Sequence, residues 1–165
     1  MEPVGWFCSI STLQEINISG LSQLHCFPVE LFENLRSLRI WNCRNLESFS
    51  EHDRPINDLL SLHSLTIGFC HSLAFFPEGG LPAPNLRDLK LSNVCNLHAL
   101  PERMNLLLPS LKVLETFDCQ ENESFPGGGL FSNLEKLTIA GCKKLIVGRM
   151  QWHLQTLPCL SSFSI

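Results

Sequence analysis

Two stretches decide how this chain folds: LTIGFCHSL, from Leu65 to Leu73, and LTIAGCKKL, from Leu137 to Leu145. Each places a cysteine three residues after a short alternating apolar run and a leucine three residues after that. Cys142, followed by Lys143 and Lys144, has the local chemistry of a nucleophile, a metal ligand or half of a disulfide. Its recurrence in the same frame points first to a structural repeat.

Extending the alignment in both directions gives seven frames, starting at Leu13, Leu35, Leu62, Leu86, Leu111, Leu134 and Leu160, spaced 22, 27, 24, 25, 23 and 26 residues apart. Apolar residues stand three and five positions into the frames: Ile16 and Ile18, Leu38 and Ile40, Leu65 and Ile67, Leu89 and Leu91, Leu137 and Ile139, Phe163 and Ile165. The fifth frame is weaker, with Leu114 followed by Thr116. Cys43, Cys70, Cys119 and Cys142 stand eight positions in. Leu24, Leu46, Leu73, Leu97 and Leu145 stand eleven in, followed by Phe27-Pro28, Phe76-Pro77, Leu100-Pro101 and Phe125-Pro126.

Apolar positions two apart share one face of a strand, because side chains alternate. The LxxLxLxxC block is the leucine-rich-repeat signature, with cysteine at the position often held by asparagine. One unit cannot bury its leucines alone, so neighbours must stack. The fold class this predicts is an α/β solenoid, a horseshoe segment with a parallel sheet on its concave face and irregular or short helical returns. Proline ends each ladder because it has no N–H to give. The solenoid spans residues 11 to 165 in about seven repeats, after an irregular lead-in or partial repeat over residues 1 to 10.

In that frame the cysteines turn inward, as small hydrophobes whose thiols serve the turn. The eight cysteines are never closer than 17 residues and form no CxxC pair, which favours reduced thiols in an intracellular, cytoplasmic protein. A one-dimensional ladder does not converge tetrahedral ligands, so no metal is expected. The net charge of -4 argues against nucleic acid as a partner. No apolar run reaches the roughly 18 residues needed to span a bilayer, and the start MEPVGWFCSIS does not read as a secretory signal.

The glycines of PEGGLP (Pro77 to Pro82) and PGGGL (Pro126 to Leu130) are not followed by the GK[ST] of a phosphate-binding loop, so they read as turns. The histidines, including His63, His71 and His98, make no HExxH, and no serine lies in a GxSxG elbow. No catalytic residue and no cofactor are expected, and the chain reads as a binding protein, not an enzyme.

Offsets two, four, six and seven should face the open concave side, where solenoids meet partners. The partner-binding candidates there are Arg39, Trp41, Asn42, Phe69, Lys90, Asn93, Glu115, Phe117, Asp118 and Lys136. Asp88 and Thr138 share those offsets, as do the small residues Ser37, Ser64, Thr66, Gly68, Ser92 and Ala140. Trp and Arg are enriched at interface hot spots, which singles out Trp41 and Arg39. Offset one carries Arg36, His63, Arg87, Lys112 and Glu135, a solvated column.

Laid out as LxxLxIxxCxxLxxFP, the sequence resembles the leucine-rich-repeat region of plant intracellular immune receptors. These are the coiled-coil type of nucleotide-binding leucine-rich-repeat disease-resistance proteins. The residues that carry the resemblance are LRSLRIWNCRNLESF (Leu35 to Phe49), LHSLTIGFCHSLAFFPEGGLPAPNL (Leu62 to Leu86) and FPGGGLFSNLEKLTIAGCKKL (Phe125 to Leu145). The resemblance implies recognition, in plant innate immunity, of pathogen effectors or of host proteins. It also implies restraint of the nucleotide-binding domain of the same or a related receptor. No P-loop is present, so nucleotide binding is not carried over. The cysteine position also occurs in the repeats of ubiquitin-ligase F-box proteins, which makes a substrate-recruiting arm of a ubiquitin ligase the alternative. The chain ends on Phe163 and Ile165 in mid-repeat, without a polar cap. That leads us to expect a fragment, a truncated gene product or a piece of a larger receptor, marginally stable in isolation or self-associating through its uncapped end.

Overall fold

The computed structural model describes residues 12–50, 57–74, 76, 80–96, 103–122, 124–125, 130–149 and 152–165. The lead-in over residues 1–10, Leu97, His98, Leu100-Pro101, Pro77 and Pro126 through Gly129 lie outside them. Among the described residues, each frame supplies one strand: β1 (Glu15–Ser19), β2 (Ser37–Trp41), β3 (Ser64–Gly68), β4 (Asp88–Ser92), β5 (Val113–Phe117), β6 (Lys136–Ala140) and β7 (Ser162–Ser164). They form one parallel sheet in sequence order, with equal offsets aligned, as in Leu38↔Leu65 and Leu65↔Leu89. This is the leucine-rich-repeat solenoid, with short helical returns at α1 (Met104–Leu107) and α2 (Lys143–Val147) and 3-10 turns at Val29–Leu31 and Leu154–Thr156.

Backbone hydrogen bonds repeat with the same period on both sides of each strand. Before the strand, one offset-one carbonyl accepts two N–H groups from the next turn. Gln14 takes those of Arg36 and Ser37, Arg36 those of His63 and Ser64, and Lys112 those of Glu135 and Lys136. Asparagine side chains reinforce this junction: Asn85 donates to the Leu60 carbonyl at 2.8 Å and Asn133 to the Pro109 carbonyl at 2.7 Å. The Asn-Leu pair that opens these frames is therefore part of the repeat.

Offsets zero, three, five and eight are buried from the second to the sixth frame, as in Leu62, Leu65, Ile67 and Cys70. The thiols serve the turn. Cys43 donates to the Trp41 carbonyl at 3.6 Å, Cys70 to Gly68 at 3.4 Å, Cys119 to Phe117 at 3.5 Å and Cys142 to Ala140 at 3.4 Å. In the fourth frame Val94 takes the buried offset-eight place, and Cys95, one residue later, is half-buried. The offset-fourteen phenylalanines form a second apolar row: Phe27, Phe49, Phe76 and Phe125 are buried, with Phe49 and Phe76 stacked at 6.2 Å. Trp152 extends the row, its ring edge-on to Phe125 at 5.3 Å.

The fifth frame is the irregular one. Thr116 and Asn122 stand where the pattern calls for aliphatic residues, and both are wholly buried. Thr116 Oγ1 lies 3.6 Å from the Cys142 sulfur, within hydrogen-bond reach, but both polar atoms of the Asn122 amide lack a partner.

Candidate partner-binding face

Alternation turns offsets two, four and six of every strand to the face opposite the core. The parallel register lines them into columns across the sheet. Asn17, Arg39, Thr66, Lys90, Glu115 and Thr138 form the middle one, and Ser19, Trp41, Gly68, Ser92, Phe117 and Ala140 the next. The ten sequence candidates fall into three groups on this face.

Lys90, Glu115 and Lys136 form one ion-pair cluster. Glu115 takes Lys136 at 2.6 Å and Lys90 at 2.9 Å. Glu115 is only 7% exposed, so the carboxylate that the sequence placed on open surface is instead committed to its neighbours. Burial pushes its carboxyl up, but hydrogen bonds from Lys136 and Lys90 and their charges outweigh that and hold it below its ordinary 4.5. The two lysines keep about half of their side-chain surface in solvent.

Asn42, Phe69, Asn93 and Asp118 share offset seven with Gly20 and Gly141, and all six have left-handed backbone, with φ between 52° and 73°. Each of the first five turns closes through this residue. Its N–H donates to the offset-six carbonyl of the next strand: Gly20 to Trp41, Asn42 to Gly68, Phe69 to Ser92, Asn93 to Phe117 and Asp118 to Ala140. These positions are thus turn residues first. Glycine, asparagine and aspartate adopt that conformation readily, whereas a bulky phenylalanine in it is an outlier.

Arg39, Trp41 and Phe117 complete the set. Arg39 is exposed, and Trp41 and Phe117 are half-buried. The Trp41 ring lies directly on Gly68, where a Cβ would stand 2.2 Å from Cζ3. It also meets the edge of Phe69, at 5.2 Å between centroids, and Phe69 in turn meets His71 at 6.5 Å. Sequence reasoning left out His71 and the role of Gly68. The signal was a glycine at offset six, directly beside a tryptophan in the neighbouring frame.

Among the described residues no group of three His, Cys, Asp or Glu side chains is placed to hold a metal ion. Burial pushes the Cys70 thiol up to about 11. Its hydrogen bond with Cys142, and then burial, push Cys119 up, while the same bond draws Cys142 down. Cys142 has no exposed surface, so the shift creates no accessible nucleophile. Lys143 and Lys144 point to solvent, Lys144 paired with Glu121 at 2.5 Å. No described helix is long and apolar enough to cross a membrane.

No protein-family model matches the chain. No solved structure matches it either. Over 158 residues, 95% of its length, it is 43% identical to a candidate disease resistance protein of Arabidopsis thaliana. The chain spans only 11% of that relative's length. Nearly all of the chain is thus similar to a part of a plant disease resistance protein, and its seven in-register parallel strands form a solenoid that fits a leucine-rich-repeat region.

Proposed function

We propose that this solenoid is a protein-recognition module of plant innate immunity, acting by binding and not by catalysis. Its concave sheet takes a pathogen effector or a host protein, and the nucleotide-binding domain of the same or a related receptor is a further partner. The setting is the cytoplasm. One observation carries this reading: side chains outside the core stand in register across adjacent strands, with Arg39 exposed and Trp41 half-exposed among small neighbours. Such a surface is held rigid by the ladders beneath it, which limits the ordering cost on association. The kinship with a disease-resistance protein supports the defence setting.

The test is a two-hybrid screen of plant and effector proteins, repeated with Arg39→Ala and Trp41→Ala. Binders should weaken about tenfold or more with either variant, while the circular dichroism spectrum stays that of the parent. Partners that bind both variants as tightly as the parent would refute the concave-face assignment.

A further inference from the structure

The sheet is electrostatically uneven. In its second half, four lysines on or beside the sheet hold carboxylates: Lys90 and Lys136 share Glu115, Lys112 holds Glu135 at 2.6 Å, and Lys144 holds Glu121, while the exposed Lys143 after the last of these strands has no ion pair among the described residues. In the first half Arg39 stands in register between Asn17 and Thr66, neither of them charged. Among the described residues it has no ion-pair partner, and Glu15 on the neighbouring strand makes no bridge to it. Arg44, just past the end of the same strand, donates only to the side-chain oxygen of Asn42, at 3.3 Å. An exposed guanidinium without a carboxylate is suited to bidentate capture of one from outside.

Arg39 and Trp41 lie two residues apart on one strand and so face the same way. Beside them is the ledge in which Trp41 rests on Gly68 and meets the edge of Phe69. Phe69 holds a left-handed backbone at φ 53°, where the equivalent turns use Gly, Asn or Asp. Aromatic bulk at that place costs backbone strain that the turn itself does not need. Strain kept against a local preference is a mark of functional sites.

Building on the concave-face reading above, we infer that the Arg39–Trp41–Phe69 corner is the docking spot. It takes an acidic protein segment in which a carboxylate lies next to an aromatic or aliphatic side chain. The carboxylate meets Arg39, and the apolar side chain lies on the ledge. The Glu115 cluster, whose two lysines already hold a carboxylate of the chain itself, is scaffold and not contact.

A random dodecapeptide library displayed on phage, selected against the full chain, tests this. Enriched peptides should carry Asp or Glu within a few residues of Trp, Phe or Leu. Arg39→Glu should weaken them at least about thirtyfold. Phe69→Asn should weaken them about tenfold while the melting temperature stays level or rises, an outcome that a purely structural role does not give. Lys136→Ala should leave them bound. Enrichment of basic or uncharged peptides, or of nothing, overturns the inference. So does binding that depends on Lys136 and not on Arg39, although the concave face would then still be the binding surface. Peptides indifferent to every one of these substitutions would overturn both readings.

Discussion

Asn122 occupies a leucine position in the repeat, is fully buried, and leaves both ends of its amide without a partner. A buried polar group in that state costs about 1–3 kcal/mol relative to a satisfied or apolar one. Leu46, Leu73 and Leu145 stand at the same offset in other frames and are buried too, so the site accepts leucine geometry. Asn122→Leu should therefore raise unfolding stability by about 1–3 kcal/mol. In urea the midpoint should rise with the slope unchanged. An unaltered midpoint would mean that the amide has found a partner in solution. The defect was legible only as a gap in the leucine series. Composition does not reveal whether an asparagine out of pattern turns outward or is trapped, because that depends on how tightly the adjoining turns close over it.

At the scale of the strand and its turn, the repeat period made offsets zero, three, five and eight readable, because the same burial demand recurs there with the same side-chain type. Offset seven was not readable as a turn position. Its demand is on φ, which Gly20, Asn42, Asn93, Asp118 and Gly141 meet readily, but Phe69 breaks the series. The burial of Glu115 was also hidden, since it arises from lysines 25 and 21 residues away in sequence, on the strands to either side. That arrangement has a pH consequence. The Glu115 carboxyl is held below its ordinary 4.5, so the unfolded chain takes up the proton first. The stabilisation is complete above about 4.5 and is lost as pH falls from there through the lower folded value. Replacing Lys90 and Lys136 together by alanine strands a nearly buried carboxylate, at a cost of about 3 kcal/mol near neutral pH. The double variant should also invert the acid response, because burial alone raises the carboxyl. Protonation then relieves the penalty, and the gap between variant and parent should narrow on acidification below neutral. A gap constant from pH 7 to 4 in urea titrations would rule out the ion-pair account.

For the whole molecule, stacking is one-dimensional: each strand touches the next and no other, in the order β1 to β7. Stability in such an array is a sum of turn and interface contributions, so local weak points need not be averaged away. Among the described residues the two edge strands have a neighbour on one side only, and every residue of β7 is exposed. Their amides should exchange with solvent first. Inside the array, β5 stands over the turn that holds Thr116, Cys119 and the unpaired Asn122, whereas β3 and β4 cover purely apolar turns through Ile67, Cys70, Leu91 and Val94. Protection from hydrogen exchange should therefore peak in β3 and β4 and fall at β5 and β6, before the chain reaches its edge. Thr116→Ile with Asn122→Leu restores the apolar pattern of the frame. It should raise protection in β5 and β6 by about tenfold or more, corresponding to at least about 1.4 kcal/mol of local opening energy. Protection in β1 should stay as it was, because no contact reaches it from the fifth turn. A rise spread evenly over all seven strands would instead show that the solenoid opens as a single cooperative unit. The docking corner on β2 and β3 would then share its stability with the distant fifth turn.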